Sequence, residues 1–446
     1  MSRVKKVLII TSSGGGGLLQ AASAKEQEIR VKDPNAVIIR RDVMKDWMIR
    51  PFGKMFVAFY NWSQLQGNVK VQNFFNVAIP FVDYLFWPPI FCWSLYTLFK
   101  EDIDRVIDTQ IMGTSAILKA LRYFNRRRKK KIHLEKVLVD FPTKKATHYF
   151  FSIKSLGAKD RKFIRLITVA PLLEEGETEA EFWRKNCNIT FRELEYEYYY
   201  VRQSFRKFQH MERKAEPFFL RMRTKSGEEL ELIERSVQRG SIFSQVKEGE
   251  IEFVVGANDL LFTILLGSQP ASGATFNYVK QFLELAKSYP SKRNAHLFVF
   301  CAAHTPGKPS LFQKVSDSVQ EMKDYPSWFS VVPMSFQPDE VIAPLFFRSD
   351  MTCTRSGGHT AMELLCTSKG EIWIHSEAKK RGSLTQEDLL AGIPGWESAN
   401  AAYLQQVRGA KLVTPETFVP FAKTLMTAEV EPQSSVLLDR ANCCGQ

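Results

Sequence analysis

The chain has 446 residues, of which 45% are hydrophobic and 24% are charged. These values exclude an intrinsically disordered protein, and the length predicts two or three domains rather than one core. The formal net charge of +13 is typical of proteins that bind nucleic acid, anionic lipid or phosphate-bearing substrates.

The seven cysteines indicate a reduced, cytoplasmic chain, because the first five are scattered and show no metal-ligand spacing. The ending 443–446 (CCGQ) resembles a prenylation box only loosely, since Gly445 is a poor fit for the aliphatic position. A secretory signal peptide is not expected, because the apolar run Val7–Ile10 is short and is followed by glycines.

The first predicted elements form a βαβ unit. Val7–Ile10 predicts a buried parallel strand, Leu18–Ile29 a helix and Ala36–Arg40 a second strand. Further strands are predicted at 104–109, 134–140 and 163–169, with a helix at 117–123. Strands that alternate with helices predict an open parallel sheet, so residues 1–175 are expected to form a Rossmann-like domain.

An aromatic segment covers residues 73–99 within this domain. It holds ten Phe, Trp or Tyr residues, and its only formal charge is Asp83. Its length would allow a membrane span, but Pro80, Pro88 and Pro89 are expected to interrupt a helix. The pattern therefore predicts an interfacial or partly re-entrant helical segment, and the alternative is a buried hairpin of helices.

Six consecutive cations, Arg126–Lys131, follow at some distance along the chain. Alone such a run is usually a solvated loop, but beside an aromatic surface it favours contact with anionic lipid headgroups. Nucleic acid is the competing partner, and no helix-turn-helix, zinc-finger or RNP pattern supports it. We therefore expect a peripherally membrane-associated cytoplasmic protein that does not bind nucleic acid.

The pattern changes at residues 176–254, which are rich in Glu, Arg, Lys and Tyr and predict an irregular bridging or inserted segment. Residues 255–430 then repeat the α/β pattern. Strands are predicted at 261–266, 295–301, 328–332 and 351–355, and helices at 275–287, 341–347 and from 360 onward. The predicted fold class is α/β, with two Rossmann-like domains in tandem and a tail at 431–446.

Glycine-rich turns follow the first strand of each predicted domain. Such a turn exposes backbone N–H groups beside a helix N-terminus and can cradle an anion or another ligand. The first turn matches neither the dinucleotide fingerprint nor the P-loop pattern. A flexible surface turn is the alternative, but the position directly after a strand favours a cradle. The four glycines of the first turn are Gly14, Gly15, Gly16 and Gly17.

Three stretches carry a family resemblance. They are TSSGGGGLLQAA at 11–22, SFQPDEVIAPLFFRSDMTCTRSGGHTAMELL at 335–365 and GWESANAAYLQQVRGAKLV at 395–413. Together they resemble GT-B glycosyltransferases that modify lipids. The most similar types are monogalactosyldiacylglycerol synthases and the N-acetylglucosaminyltransferase of the peptidoglycan lipid carrier. The resemblance covers residues 1–175 and 255–430 and leaves out the middle segment.

The resemblance implies transfer of a sugar from a nucleotide-sugar, expected to be a UDP-sugar, to a membrane lipid or another apolar acceptor, with no cofactor or metal. The acceptor would bind at Ser13 and the four glycines. The donor would bind at Gly267, Ser268, Gln269, Ser356, Gly357, Gly358, Thr360, Glu363, Glu397 and Asn400. Backbone amides would hold the diphosphate, and Glu363 would accept from the ribose hydroxyls. A plain helix cap and a solvated carboxylate remain the alternatives for Ser356–Gly358 and Glu363.

The general base expected from the resemblance is missing. In the resembled families a histidine follows the glycines of the first loop, whereas Leu18 stands here and residues 11–24 contain no histidine. Asp140 and His148 are candidate replacements. Two alternatives stay open: an inactive protein that binds nucleotide-sugar or membrane, and a basic scaffold for nucleic acid or a protein partner.

Overall fold

Parallel strands form two separate sheets of six strands each. The computed structural model describes residues 4–14, 16–48, 50–129, 131–144, 146–197, 200–237, 243–247, 249–379 and 383–428. The predicted tail at 431–446, with its CCGQ ending, lies outside these residues. The two sheets confirm the predicted α/β fold class.

The N-terminal sheet has the order β2-β1-β3-β4-β5-β6, and all its neighbouring strands are parallel. Its elements are β1 (Lys6–Thr11), α1 (Gly16–Lys32), β2 (Val37–Asp42), a π-helical turn (Val43–Trp47), α2 (Arg50–Leu65), α3 (Val69–Glu101), β3 (Arg105–Asp108), α4 (Thr114–Arg126), β4 (Leu134–Val137), α5 (Thr147–Lys154), α6 (Ala158–Arg161), β5 (Ile164–Thr168), α7 (Glu179–Cys187) and β6 (Leu194–Tyr196).

The C-terminal parallel sheet has the order β12-β11-β10-β13-β14-β15, and a three-stranded antiparallel sheet β7-β9-β8 accompanies it. The elements are α8 (Gln203–Arg206), β7 (Phe218–Arg223), α9 (Gly227–Ser236), β8 (Phe243–Lys247), β9 (Glu250–Val255), β10 (Leu260–Leu265), α10 (Ser272–Ser288), β11 (Ala295–Phe300), α11 (Leu311–Gln320), β12 (Phe329–Met334), α12 (Asp339–Arg348), β13 (Met351–Thr354), α13 (Gly358–Thr367), β14 (Glu371–His375), α14 (Gln386–Ala391), α15 (Gly395–Arg408), β15 (Lys411–Val413) and α16 (Val419–Thr427).

The inner strands β1 and β11, and the edge strand β12, are buried on both faces. Every residue of β11 and of β12 is buried, and five of the six residues of β1 are buried. Helices cover both faces of a parallel sheet, which explains why these strands are continuous apolar runs without alternation. The sheets therefore form two rigid layers whose loops can hold side chains in fixed positions.

The segment 176–254 is divided between the two domains. Strand β6 pairs with β5, and Phe182 and Trp183 on α7 are buried in the N-terminal core. Beyond the crossover, β7, α9, β8 and β9 pack on the C-terminal domain, where the Phe253 and Phe298 rings lie 5.6 Å apart. The bridge itself is thus shorter than the sequence predicts, because most of the segment completes one sheet or covers the other.

Helix α3 continues through all three prolines for 33 residues, so the predicted interruption at Pro80, Pro88 and Pro89 is wrong. A proline removes one backbone N–H donor and crowds the preceding turn. Packing of Phe86 and Ile90 into the N-terminal core against α4 offsets that cost. Within the described residues, α3 is the helix that is long and apolar enough to cross a membrane by length and composition, with 22% of its most apolar window buried.

Candidate active site

The carboxyl ends of the parallel strands in both sheets meet at one cleft. It contains a cavity of about 390 Å³, lined by the loops that follow β1, β3, β4, β10, β11, β12 and β13 and by α2 and α3. Ligands of open α/β sheets bind at this end of the strands. The cavity therefore defines the candidate active site.

Many of the residues predicted for the site line this cavity. They are Gly14, Gly16, Gly17, Asp140, Gly267, Ser268, Gln269, Gly357, Gly358, Thr360, Glu363 and Glu397. Ser356 and Asn400 are fully buried behind the lining and bond to it. Gly15 and the side chain of His148 lie outside the described part of the structure. The roles assigned to these residues stay predictions.

The first glycine loop lies against the opposite domain. A Cβ on Gly16 would lie 2.9 Å from Ser268 Oγ, and one on Gly17 would lie 3.8 Å from His359 Cβ. The buried Ser13 Oγ has no hydrogen-bond partner among the described residues. The absence of side chains at this loop thus lets the two domains approach each other at the cavity.

The two neighbouring glycines before and at the start of α13 have different surroundings. A Cβ on Gly358 would overlap the Val139 carbonyl oxygen and the Asp140 side chain, whereas a Cβ on Gly357 would meet open space. Gly357 is the N-cap residue of α13 and has no side chain with which to cap it, and the Asp140 carboxylate lies beside the first turn of this helix. A helix N-terminus carries unpaired N–H groups and a partial positive charge. This end of α13 can therefore accept an anion.

A second glycine turn lies on the same side of the cavity. Gly267 has a φ of +89°, a left-handed conformation that favours glycine, and the space beside it is open. Ser268 and Gln269 follow it on the cavity wall. The turn gives the C-terminal domain a second stretch of backbone that a ligand can approach.

Glu363 is paired with an arginine that the sequence analysis did not identify. Arg202 Nε and Nη2 donate to Glu363 Oε1 and Oε2 at 2.6 and 3.0 Å, and Arg202 also donates to Asp339. Burial raises the pKa of Glu363, but the neighbouring His359 and Arg202 side chains outweigh it, and the net effect lowers that pKa. Arg202 lies on the crossover between the domains, 161 residues before Glu363, so no local spacing reveals the pair.

Glu397 is also held by an arginine. Arg355 donates to the two Glu397 carboxylate oxygens at 3.1 and 3.0 Å, and to Gln72 Oε1 on α3 at 2.8 Å. Burial raises the pKa of Glu397 in spite of Arg355. Arg355 directly precedes Ser356 in the chain. The pair therefore connects the C-terminal domain to helix α3 of the N-terminal domain.

Asp140 connects the domains as well. Asn400 Nδ2 donates to Asp140 Oδ1 at 2.7 Å and to the Ser356 carbonyl at 2.8 Å, while Asn400 Oδ1 accepts from the Phe141 N–H. Asn400 is fully buried, and Asp140 is 7% exposed. Asp140 thus lines the cavity, as a base must, but one of its oxygens already has a partner.

Leu18 is buried where a basic side chain is expected. It is 6% exposed and packs in the N-terminal core, and its carbonyl accepts from the hydroxyls of Thr11 and Thr109. His359 faces the first loop from the other domain, but it is 1% exposed and its Nε2 lies 3.1 Å from Glu363 Oε1. Neither residue replaces the histidine that the resemblance leads one to expect.

The half of the cavity formed by α2, α3 and the loop after β3 is mostly apolar. Its wall includes Met44, Phe56, Tyr60, Phe75, Ile79, Ile111 and Met112. Three amides, Gln64, Asn76 and Gln110, interrupt it. Asn76 Oδ1 and Gln110 Nε2 are buried atoms without a hydrogen-bond partner among the described residues.

The outer side of α2 and α3 is an exposed apolar surface, which we call the aromatic face. Its exposed residues are Phe52, Met55, Phe59, Trp62, Phe74, Val77, Phe81, Tyr84, Leu85, Trp93, Tyr96 and Phe99. Arg127 lies 5.3 Å from the Phe99 ring, and Arg126 lies 4.7 Å from the ring of Tyr123. The cationic run therefore lies beside the C-terminal end of α3.

With two parallel-sheet domains that meet at one cleft, the chain has a GT-B-like fold, as the sequence predicts. No protein-family model and no curated protein sequence matches the chain. Among solved structures, MurG of Acinetobacter baumannii is 12% identical over 95% of this chain and 91% of its own, with a TM-score of 0.43.

A UDP-GlcNAc 2-epimerase of Methanocaldococcus jannaschii is 10% identical over 96% of this chain and 93% of its own, with a TM-score of 0.45. A UDP-forming trehalose-phosphate synthase of Burkholderia xenovorans is 11% identical over 94% and 91%, with a TM-score of 0.42. At these identities and scores, no residue role or activity is carried over from these proteins.

Proposed function

We propose that the protein transfers a sugar from a UDP-sugar to a lipid at the membrane surface. The observation that carries the proposal is the two-sided cavity. One side offers the helix N-terminus at Gly357 and open space beside Gly357 and Gly267, and the other side is apolar and lies under the exposed aromatic face. A nucleotide diphosphate fits the first side and a lipid acceptor fits the second.

The C-terminal domain would bind the UDP-sugar donor. The N-terminus of α13, which carries a partial positive charge, and the open space beside Gly357 suit a diphosphate. Each carboxylate oxygen of Glu363 accepts one bond from Arg202, and a carboxylate can accept about four hydrogen bonds in all. Its remaining lone pairs are available to ribose hydroxyls, so the pairing with Arg202 is compatible with the role predicted from the sequence.

The lipid would reach the cavity from the aromatic face. Aromatic side chains favour the headgroup level of a bilayer, and nearby cations favour anionic headgroups. Arg126, Arg127 and Lys129 are exposed beside this face. The chain would then work as a peripheral protein at a cytoplasmic membrane surface, with α2 and α3 at the lipid.

The transfer step needs a base for the acceptor hydroxyl. The acceptor oxygen would bond to the anomeric carbon as the bond between that carbon and the β-phosphate oxygen breaks, and UDP would leave with the electron pair. The hydroxyl proton would pass to Asp140, the charged side chain that the N-terminal domain contributes to the described cavity wall. Backbone amides at α13 would stabilise the charge that develops on the diphosphate.

A second function is favoured by Leu18 and by the bond from Asn400 to Asp140. A buried leucine cannot take a proton, and a carboxylate that joins two domains is restricted in its movement. The same fold would then bind a nucleotide-sugar or the membrane without transferring the sugar.

The two functions are separated by a transfer assay with a panel of labelled UDP-sugars and vesicles made from a total lipid extract. Label in the lipid fraction with the natural protein, lost in Asp140→Asn, supports transfer with Asp140 as the base. Label that appears only in Leu18→His supports the binding protein. Transfer that survives Asp140→Asn contradicts the assignment of the base, and an absence of UDP binding contradicts the donor site in both functions.

A further inference from the structure

The two domains meet along two seams of different chemistry. The first, which we call the apolar seam, is one cluster of buried side chains with members from both sheets, among them Ile9 of β1 and Ile374 of β14. Helix α1 packs on α13 there, and the rings of Phe141 and Tyr403 stack 4.1 Å apart. Separation of the sheets would expose this apolar area to water, so the apolar seam holds the two sheets together.

The second seam lies at the tip of the α2–α3 hairpin, by which we mean residues 50–79. Gln72 Oε1 accepts from Arg355 Nη2 at 2.8 Å, and Asn73 Oδ1 accepts from the Gly395 N–H at 2.9 Å. We call these two hydrogen bonds the polar latch. On opening, each would be exchanged for hydrogen bonds with water, so the net contribution of each to the closed state is small.

The hairpin tip also closes one side of the cavity. A Cβ on Gly67, in the turn between the two helices, would overlap the Glu377 carboxylate, so the tip lies directly against the C-terminal domain. Tyr60 of α2 and Trp396 of α15 both line the cavity, and their ring centroids are 6.3 Å apart. Movement of the tip away from the C-terminal domain would therefore widen the cavity between these two rings.

Opening of the polar latch would leave no buried cation without a carboxylate. Arg355 donates to both carboxylate oxygens of Glu397 as well as to Gln72, so it keeps its ion pair when Gln72 leaves. Gln72 Nε2 donates to the Ser63 carbonyl at 3.2 Å, and this bond lies within the hairpin and would move with it. The polar latch is thus built from groups that water can satisfy.

Helix α3 has a weak point at the base of the hairpin. None of its residues between Phe75 and Phe86 is buried, whereas Phe86, Ile90 and Leu98 are buried in the N-terminal core. Pro80 lies between these two parts of the helix and lacks a backbone N–H for the preceding turn. Helices bend at prolines, so the first turns of α3 can move while the rest of the helix stays packed.

The hairpin is packed internally and can move as a unit. The Phe75 ring of α3 contacts three rings of α2, with centroid distances of 4.7 Å to Phe56, 5.4 Å to Phe59 and 5.6 Å to Tyr60. Among its described residues, α2 has no large side chain that is buried. The aromatic contacts would therefore stay intact when the polar latch opens.

We propose that the cavity opens by movement of the α2–α3 hairpin away from the C-terminal domain about Pro80, while the apolar seam keeps the two sheets together. The inference deepens the proposed function, and the use of this opening to admit a UDP-sugar or a lipid rests on that function. Phe59, Trp62 and Phe74 of the aromatic face belong to the hairpin. The opening therefore lies beside the surface that would meet the membrane.

The test measures two distances between spin labels by double electron–electron resonance. The labelled protein carries serine at the exposed Cys92 and at the two tail cysteines, 443 and 444. One pair, Lys70→Cys with Glu387→Cys, joins the hairpin to the C-terminal domain. The other pair, Lys32→Cys with Glu387→Cys, joins the end of α1 to the same point. All three labelled positions are exposed.

The proposal predicts a short and a longer distance for the Lys70–Glu387 pair and one distance for the Lys32–Glu387 pair. Asn73→Ala removes one bond of the polar latch, so it should raise the ratio of long to short distances about threefold or more in the first pair and leave the second pair unchanged. Gln72→Leu gives a second reading of the polar latch. Asn186→Ala is the matched control and should change neither pair, because this amide donates to a carbonyl of its own helix.

Two results would overturn the proposal. One is a Lys32–Glu387 distance that lengthens together with the Lys70–Glu387 distance, because the sheets would then separate as rigid bodies. The other is a Lys70–Glu387 distribution that stays unchanged in both latch variants. The distances are measured without a ligand, and calorimetry of UDP is carried out on the same protein. An absence of UDP binding would defeat the proposed function and leave the distance result readable.

Discussion

The two halves of the cavity satisfy their polar groups in different ways. In the C-terminal half, Arg202 and Arg355 hold carboxylates in two-point pairs, and Asn400 holds Asp140. In the apolar half, Gln110 and Asn76 each keep one buried polar atom without a described partner. A buried polar atom without a partner costs free energy, so the apolar half satisfies its own polar groups less completely than the C-terminal half does.

The difference shows that position in the cavity does not establish a ligand role. Three predicted donor residues already have partners: Glu363 accepts from Arg202 on the crossover, Asn400 bonds across the domain interface, and Glu397 accepts from Arg355 of its own domain. Their removal would disturb the structure whether or not a nucleotide binds. Gly357 and Gly267 support the donor assignment better, because the protein itself leaves the space beside them open.

The largest effect is expected from Arg355→Leu. Glu397 is 5% exposed, and it would be left as a buried carboxylate without its cation. Loss of one partner of a buried pair costs about 3–5 kcal/mol of unfolding free energy. Urea unfolding at neutral pH measures it. The surface pair Arg221–Glu252 supplies the control: Arg221→Leu should change the unfolding free energy much less, because solvent screens an exposed pair. Equal losses of unfolding free energy in the two variants would contradict the claim that the buried pair matters more than the surface pair.

The next largest effect is a difference in stability between alanine substitutions at two adjacent glycines. Gly358→Ala would place a Cβ against the Val139 carbonyl, and overpacking of this kind costs about 1–3 kcal/mol. Gly357→Ala meets open space at a φ of −60°, which alanine adopts without strain, so its unfolding free energy should stay within about 0.5 kcal/mol. Thermal and urea unfolding of both variants test this. A destabilised Gly357→Ala would mean that the protein itself needs that space.

A third effect concerns the outer surface beside the apolar half. Changing Arg126, Arg127 and Lys129 to serine should weaken binding to anionic vesicles about 100-fold at low salt, at about 1 kcal/mol per cation. Arg128 is left unchanged because it pairs with Asp102 and Asp104. Vesicle flotation measures the binding, which should also fall as salt rises.

The control for that experiment removes three other exposed cations, Arg221, Arg223 and Lys247, from the antiparallel sheet. The overall charge changes by the same amount, but the aromatic face keeps its neighbours. Equal loss of flotation in the two triple variants would show that net charge, and not this surface, drives the association.

The smallest expected effect is the pH dependence of stability in variants of the two buried glutamates. Glu363 has a lowered pKa, so its contribution to stability is present above its usual value of 4.5 and is lost as the pH falls. Glu397 has a raised pKa, so its contribution is present below 4.5 and is lost as the pH rises. Glu363→Gln should therefore lose more stability at pH 7 than at pH 4, and Glu397→Gln should change in the opposite direction. Urea midpoints that follow pH in the same direction for both variants would contradict this.

Much of the scaffold follows from local sequence. The strands of both sheets are apolar runs, and the turns after them are glycine-rich, so the two domains and the loops at the cleft could be predicted. Helix α3 could not, because its continuity through three prolines depends on packing against α2 and α4. The structure of residues 176–254 could not be predicted either. It depends on pairings between β5 and β6 and between β7 and β9, which composition does not reveal.

The site was predicted in part for the same reason. Glycines and a helix start are local features, and most of those predicted line the cavity, while their binding roles stay predictions. Arg202 and Gln72 contact partners 161 and 283 residues away, and such pairs leave no spacing signal. The glycines were expected to make room for a ligand, whereas Gly16 and Gly358 make room for the opposite domain. At Gly357 the space beside the backbone is open, so the expectation that a glycine makes room for a ligand still applies there.

The central claim is that the start of α13 binds the diphosphate of a nucleotide. Calorimetry of UDP with the natural protein, Gly357→Ala and Gly227→Ala tests it most directly, because a Cβ at either position meets open space in the protein. We predict that UDP binds the natural protein and Gly227→Ala equally and binds Gly357→Ala about tenfold more weakly or worse, since loss of a charge-assisted contact costs about 1.5–3 kcal/mol. UDP binding that is undetectable in the natural protein, or unchanged in Gly357→Ala, would contradict the claim.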